Sequence, residues 1–182
     1  MNEGSTPTTL VLEDGTVCTI QLCVEPGSPH TPEFLKEQII HALNSMSTRT
    51  RWLRFASSGK LTDEQLNYLT RLDGKDRVAW CASIRKNGKE TGIGLSRYIK
   101  LTDEEDIAEF AVTVVDEYQG QGIGSALFKK ILESARHNNI SRLRGYVLAS
   151  NKPMLSLCKH FEATIRAEDS TFLIAEILVN EK

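Results

Sequence analysis

The chain has 182 residues, of which 40% are hydrophobic and 25% charged, so it is long enough for one domain with a sizeable core. Its 22 basic and 24 acidic residues almost balance, so net charge gives no argument for binding nucleic acid or an anionic membrane surface. Residues 1–30 lack an apolar stretch of the signal-peptide type, and no run approaches the length that spans a bilayer. We expect a single domain over residues 1–182 in the cytoplasm, as a monomer or a homodimer.

The cysteines show neither a metal-binding nor a disulfide pattern. Cys18, Cys23, Cys81 and Cys158 include no Cys-x-x-Cys pair, and no histidines lie near them at metal-ligand spacing. We predict that all four are reduced and mostly in the core, and that the protein binds no metal.

A β-hairpin is predicted at the N-terminus. Strands at 10–13 and 16–24 flank Asp14-Gly15, a dipeptide that adopts the positive φ values of a tight turn. Three prolines then break the regular structure, at Pro26, Pro29 and Pro32.

Two helices are predicted to follow the hairpin. Apolar residues recur at helical spacing from 34 to 43, and Thr62 caps a second helix before Leu66, Leu69 and Leu72. The pattern assigns no structure to the apolar and basic residues 51–55.

The second half alternates strands with helices, which indicates a mixed α/β fold. Strands at 78–85 and 91–99, joined near Asn87-Gly88, and a strand at 107–115 form the predicted centre of the sheet. The remaining predicted elements are a helix at 125–138, a strand at 143–149, a helix at 151–161 and a strand at 172–179.

The most informative feature is a glycine-rich segment between the strand at 107–115 and the helix at 125–138. We call it the glycine turn; it reads Gln119-Gly120-Gln121-Gly122-Ile123-Gly124. A strand that passes through such a turn into a helix leaves several backbone N–H groups unpaired beside the positive end of the helix dipole. A phosphate or pyrophosphate group fits there.

Two other phosphate-binding motifs do not match the glycine turn. A dinucleotide fingerprint needs a third glycine where Ser125 stands, and an acidic residue near Arg142 and Arg144. A nucleoside-triphosphate loop needs a Gly-Lys-Ser/Thr ending, which is absent. The pattern Gln-x-x-Gly-x-Gly after a strand instead resembles the pyrophosphate-binding loop of the GNAT superfamily of acyl-CoA-dependent N-acetyltransferases.

The flanking segments 108–114 and 149–154 strengthen this resemblance, which is closest to the Pat-type protein lysine acetyltransferases. These carry a glutamate on the strand before the loop and an Asn-x-x-Met turn after the next strand. The resemblance covers roughly residues 10–165 and implies a GNAT fold, in which helices flank a central, mixed and mostly antiparallel sheet. It also implies acetyl-CoA as the acetyl donor and a primary amine as the acceptor, either a protein lysine or a small amine.

The resemblance assigns the coenzyme site. Backbone N–H groups at 120–125 would hold the pyrophosphate, and the backbone of 112–114 would hold the pantetheine arm. Asn151 would bond that arm, although it is equally suited to a plain helix cap. The whole expected site is Val112, Thr113, Val114, Gln119, Gly120, Gln121, Gly122, Ile123, Gly124, Ser125 and Asn151.

Glu109 is the candidate general base. A carboxylate inside an apolar strand costs free energy unless it is paired, hydrated or functional, and desolvation would make it a stronger base. Strand alternation places Glu109, Ala111 and Thr113 on one face, where they can line a cleft. A solvent-facing strand residue is the alternative, and the Pat-type resemblance favours the base.

The sequence offers three sources for the general acid, because the superfamily commonly has a tyrosine where this chain has Cys158. A thiol can return a proton to the leaving thiolate, but a buried, inert cysteine is the plainer interpretation. Tyr146 is a second candidate, with a packed aromatic as its alternative, and protonation by water is a third.

Other departures from the family keep a second class of function open. Glu162-Ala163 replaces the usual Gly-Phe step, and Gly120-Gln121 lacks the arginine often found in the loop. The acceptor side, expected within residues 30–72, contains Arg49, Arg51, Trp52 and Arg54, which also suit a solvated helix. A non-catalytic acyl-CoA-binding sensor would retain the glycine turn without turnover.

Overall fold

The computed structural model describes residues 6–24, 30–57, 59–104 and 106–179. Its strands form one eight-stranded sheet in the order β1-β2-β3-β4-β5-β6-β8-β7. The elements are β1 (Thr8–Val11), β2 (Val17–Leu22), α1 (Pro32–Ser45), α2 (Thr48–Phe55), α3 (Asp63–Thr70), β3 (Arg77–Lys86), β4 (Lys89–Lys100), β5 (Ile107–Val114), a short 3-10 helix (Asp116–Tyr118), α4 (Ile123–His137), β6 (Arg142–Leu148), α5 (Lys152–His160), β7 (Thr164–Ala167) and β8 (Phe172–Leu178).

The sheet is split between β5 and β6. This is its one parallel pair, and its register extends only from Ile107 opposite Arg142 to Glu109 opposite Arg144. Every other neighbouring pair is antiparallel. Beyond Glu109 the two strands are no longer paired, so β5 has one unpaired edge from Phe110 to its end. The expected mixed, mostly antiparallel sheet flanked by helices is confirmed.

Different helices cover the two faces of the sheet. The apolar stripe of α4 buries Leu127 and Ile131 in the same core cluster as Trp80 and Tyr98. Buried hydrogen bonds fix the contact, since Trp80 Nε1 donates to Ser134 Oγ at 2.9 Å. On the opposite face Leu35 of α1 packs with the ends of β2 and β3.

Packing and charge explain where the split begins. At the closed end the Arg144 guanidinium donates to Glu176 at 2.7 Å and also bonds Glu104. One residue further, the Phe110 ring lies over Gly145, where an added Cβ would be 2.5 Å from Phe110 Cζ. The ring therefore occupies the space that a side chain on β6 would fill.

Most predicted elements are present. Thr62 and Gln65 form the expected capping box at the start of α3. The unassigned residues 51–55 belong to α2, and β7 had not been predicted. Pro26 and Pro29 lie outside the described residues. No helix among the described ranges is long and apolar enough to cross a membrane.

The prediction that all four cysteines are reduced is wrong for two of them. Cys23 and Cys81 form a disulfide, with Cα atoms 5.8 Å apart. These residues are 58 positions apart in sequence, and the antiparallel pairing of β2 with β3 brings them together. Cys18 and Cys158 are free and buried, as expected.

Candidate active site

A cleft of about 770 Å³, the main cleft, opens where β5 and β6 part. The outer part of β5, the glycine turn, β6 and the start of α5 line it, and α2 forms its far wall. The predicted site residues that line it are Glu109, Val112, Thr113, Val114, Gln119, Gly120, Gly122, Gly124, Ser125, Tyr146 and Asn151.

The glycine turn has the geometry of an anion site. Gly120 and Gly122 adopt φ of 78° and 84°, and a Cβ on either would meet no atom within 4 Å. Gly122 caps α4 without a side-chain hydrogen bond. From Gly120 to Ser125, no backbone N–H donates a hydrogen bond to another residue in the described part of the chain. These groups are available to an anion at the helix N-terminus.

Three predicted residues lie outside the main cleft. The side chain of Gln121 points to the β1–β2 hairpin, where its Oε1 accepts a hydrogen bond from the Glu13 N–H at 3.0 Å. Ile123 is 1% exposed and belongs to the core under α4. Cys158 is 0% exposed, and burial raises the pKa of its thiol to about 11. Of the two cysteine interpretations, the structure matches the buried core residue.

Asn151 fits both of its predicted roles. Its Oδ1 accepts a hydrogen bond from the Met154 N–H at 3.2 Å and so caps α5. The same residue lines the main cleft, and the structure gives its amide Nδ2 no hydrogen bond to a described residue. One side of the amide holds the helix while the other can bond a ligand.

Glu109 lies at the inner end of the main cleft. It is the last β5 residue paired with β6, and it faces Ile99 across the β4 pairing. Its side chain is exposed, so the burial assumed from the apolar sequence around it is absent. The reason is the split, since β6 turns away at this point and leaves the carboxylate open.

A second cavity, of about 700 Å³, meets the main cleft at Glu109, Phe110 and Ala111. We call it the arginine cavity, because three arginines line it, namely Arg54 of α2, Arg71 at the end of α3 and Arg97 of β4. Sequence reasoning named Arg54 only as one of several residues of the acceptor side, and it missed Arg97. The signal available was that Arg97 is the one charged residue of the predicted strand at 91–99.

Arg54 and Arg97 have perturbed pKa values. Arg97 is 4% exposed, and burial is the main cause that lowers its pKa below the ordinary value. Burial, helped by the positive charge of Arg97, also lowers the pKa of Arg54 to about 10. The Tyr68 ring lies 5.4 Å from the Arg97 guanidinium and gives it a weak cation–π contact.

The position of α2 is fixed by Asp116, just after β5. Its carboxylate accepts hydrogen bonds from the Ser47 N–H at 2.9 Å, the Ser47 hydroxyl at 2.8 Å and the Thr50 hydroxyl at 2.7 Å. Slight burial raises the pKa of Asp116, but these hydrogen bonds outweigh it and hold the pKa below 3.8. The helix that carries Arg54 is therefore fastened to the segment that enters the glycine turn.

No group of three or more His, Cys, Asp or Glu residues that could hold a metal ion occurs among the described ranges.

Comparison with known proteins agrees with this geometry. The model of the acetyltransferase (GNAT) family matches residues 44–162. The acetyltransferase PA5475 of Pseudomonas aeruginosa is 32% identical over 117 residues, which is 64% of this chain and 62% of that protein. Acetyltransferase Pat of Mycolicibacterium smegmatis is 30% identical over 141 residues, covering 78% of this chain and 42% of that protein. The chain thus matches less than two thirds of the length of either relative.

A solved structure supports the fold. The GNAT domain of S. lividans PAT superimposes with a TM-score of 0.79 at 24% identity, and the match covers 94% of this chain and 96% of that one.

Proposed function

The chain belongs to the GNAT acetyltransferase family, and from this premise we propose that it transfers an acetyl group from acetyl-CoA to a primary amine, with Glu109 as general base. The observation that carries the proposal is that two functional features lie in one cleft. A row of unpaired N–H groups at a helix N-terminus and an accessible carboxylate line the same cleft. The first suits the donor's pyrophosphate, and the second suits proton removal from the attacking amine.

The unpaired edge of β5 supports the remaining part of the donor site. Because β6 pairs with β5 only as far as Glu109, backbone groups of 112–114 on that edge have no partner strand, and only the Val114 carbonyl among them accepts a side-chain hydrogen bond in the described part of the chain, from Gln119 Nε2 at 2.9 Å. An extended ligand with amide groups can add to such an edge as another strand would. We propose that the pantetheine arm binds there, with Asn151 beside it.

In the proposed reaction the amine nitrogen attacks the thioester carbonyl carbon directly. The new C–N bond forms, the proton leaves the nitrogen for the Glu109 carboxylate through a water molecule, and collapse of the tetrahedral centre breaks the C–S bond. The thiolate then takes a proton. Tyr146 lines the main cleft and can supply it, and water is the alternative, since Cys158 is out of reach in the core.

A protein lysine is the first choice of acceptor, because the sequence motifs resemble those of Pat-type protein lysine acetyltransferases. A small amine is the alternative within the same chemistry. We also propose that residues 1–182 act as one catalytic domain in the cytoplasm, where acetyl-CoA is available. A cytoplasmic thiol pool would reduce Cys23–Cys81, so thiol alkylation in intact cells tests that location.

Calorimetry with acetyl-CoA, followed by thiol release with lysine peptides and small amines, tests the function. We expect Glu109→Gln to bind acetyl-CoA as the wild type does and to lower kcat by about 100-fold or more, the usual effect of losing general base catalysis. Glu117→Gln, on the exposed 3-10 helix outside the main cleft, is the matched control and should keep wild-type kcat.

The outcomes separate the alternatives. Binding without thiol release for any acceptor would favour the sensor. Normal turnover in Glu109→Gln would remove Glu109 from the mechanism, and failure to bind acetyl-CoA would overturn the assignment of the glycine turn.

A further inference from the structure

The arginine cavity lies on the acceptor side of Glu109. In the β4–β5 register Arg97 is opposite Ala111, and Ile99 is opposite Glu109. Directly opposed residues of antiparallel strands project from the same face, so Arg97 and Glu109 face the same way. Both line the arginine cavity, and Glu109 and Arg54 line the main cleft as well. A ligand in this cavity therefore reaches the point where the donor's acyl group would be attacked.

The positive charges of Arg54 and Arg97 are only partly offset within the described part of the protein, by the more distant carboxylate of Glu109. Neither Arg54 nor Arg97 has a carboxylate oxygen within ion-pair distance among the described residues, although Glu64 and Glu109 line the same cavity. Nη1 of Arg97 is buried and has no hydrogen-bond partner there. Arg71 also lines the cavity, and the Arg77 guanidinium lies 4.5 Å from the centroid of the Tyr68 ring.

An unpaired buried guanidinium is costly, because burial removes water without supplying an acceptor. A carboxylate supplies the missing acceptor and the missing negative charge. Its two oxygens accept hydrogen bonds from the planar guanidinium of an arginine, and its charge offsets the positive charges of both Arg54 and Arg97. Burial is the first cause of the lowered pKa values of both Arg54 and Arg97, and nearby positive charge adds to it, from Arg97 at Arg54 and from Arg77 at Arg97.

We propose that the arginine cavity binds a carboxylate on the acceptor through Arg97 and Arg54, and thereby presents the acceptor's amine to Glu109. This inference rests on the proposed function and names its substrate class as amines that carry a carboxylate. The carboxylate belongs either to a free amino acid or to an acidic residue beside an acceptor lysine in a peptide. Both sources offer the same group to the same guanidinium pair.

Matched acceptors test the proposal in a thiol-release assay. L-lysine is compared with 1,5-diaminopentane, L-phenylalanine with 2-phenylethylamine, and a lysine peptide bearing a neighbouring Glu with the same peptide bearing Gln. We expect kcat/KM to favour the carboxylate member of at least one pair by about 10-fold or more, the scale of a charged hydrogen bond. The pair that shows the preference identifies the source.

Substitutions then test whether the preference for a carboxylate-bearing acceptor depends on the arginine cavity. We expect Arg97→Gln and Arg54→Gln each to bring the ratio of the two kcat/KM values close to one. Arg49→Gln removes the same charge from an exposed position of α2 outside the cavity, and it should keep the wild-type ratio. Equal rates within all three wild-type pairs, or a preference that survives in both cavity variants, would overturn the proposal.

Two further measurements keep the test decisive. Arg97 is buried, so if Arg97→Gln does not fold, the half-buried Arg54→Gln decides the result. If wild-type protein releases no thiol with any acceptor, the proposed function fails, and calorimetry with L-lysine, L-phenylalanine and the Glu peptide tests the cavity by itself. Binding that Arg54→Gln weakens would support the carboxylate site, and no binding would overturn it.

Discussion

The donor and acceptor sides of the proposed active site are built from different parts of the chain. The donor side, meaning the glycine turn and the open edge of β5, offers backbone N–H groups from one continuous segment. The acceptor side, meaning the arginine cavity, offers side chains from α2, α3, β4 and β5. A site of the first kind depends on backbone conformation, whereas a site of the second kind depends on which side chains the fold brings together.

This difference predicts where substitutions act. On the donor side the sensitive positions are those where the backbone needs glycine, and the identity of other side chains matters little. On the acceptor side the sensitive positions are charged side chains and the contacts that hold them. Each of the following substitutions tests one part of that contrast, in order of decreasing effect.

Gly122→Val should damage the donor side most. The residue adopts φ of 84°, which costs a non-glycine residue about 1–3 kcal/mol and more where the side chain is β-branched. We expect the Kd for acetyl-CoA, measured by calorimetry, to rise by about 10-fold or more. Gly88→Val carries a similar backbone cost in the β3–β4 turn, at φ of 77°, and should leave that Kd unchanged. An equal loss of binding in both variants would show a general loss of structure instead.

Gly145→Ala tests the split that separates β5 from β6. The new Cβ would lie within 3.0 Å of three atoms of the Phe110 ring, so we expect a loss of about 1–3 kcal/mol of stability from overpacking. Chemical unfolding followed by the fluorescence of buried Trp80 measures it. Gly124→Ala is the control, because its Cβ would meet its nearest atoms at 3.9 Å. Equal stability of Gly145→Ala and the wild type would mean that the ring does not maintain the split.

Asp116→Asn should loosen α2. The amide of asparagine has one acceptor oxygen for the three donors. We therefore expect the free energy of unfolding to fall by about 1 kcal/mol, which is typical for the loss of a helix cap. The acceptor KM should rise more than the Kd for acetyl-CoA. Asp103→Asn, at an exposed position, is the control. A rise confined to the coenzyme Kd would contradict the assignment of α2 to the acceptor side.

The same residue predicts a pH dependence. Because hydrogen bonds hold the pKa of Asp116 below 3.8 in the folded protein, its contribution to stability is present above that value. It is lost as the pH falls through the lower folded-state pKa. The difference in unfolding free energy between the wild type and Asp116→Asn should therefore shrink below about pH 4. A difference that grows on acidification would contradict this assignment.

Tyr146→Phe should have the smallest effect. Tyr146 is 46% exposed, and water reaches this part of the main cleft. We expect kcat to change by less than about threefold, far below the 10²-fold typical of a lost general acid. A fall of that larger size would make Tyr146 the acid.

The sequence predicts the local features well. The glycine turn, the apolar stripe of α4 and the cap at Thr62 each depend on residues within a few positions of one another, and the structure contains all of them. Glu162 adopts φ of 59°, a left-handed conformation that favours glycine, at the position where the resemblance leads us to expect the Gly of a Gly-Phe step.

The features that escaped prediction depend on long-range pairing. Cys23 meets Cys81 only through the register of β2 with β3, and Arg97 becomes a site residue only through its pairing opposite Ala111. The exposure of Glu109 follows from the point where β6 leaves β5, which no pattern within β5 encodes. The short α2 lacks a clear apolar stripe, because three arginines interrupt its sequence.

The fastening of α2 by Asp116 has a thermodynamic consequence. Asp116 lies between the end of β5 and the glycine turn, so any rearrangement of that turn on ligand binding would be transmitted to the helix that carries Arg54. Binding free energies are reciprocal. If one substrate changes the affinity for the other by some factor, the second substrate changes the affinity for the first by the same factor. Asp116 would thus couple the two substrate sites within one subunit, so that saturation with either substrate changes the affinity for the other substrate.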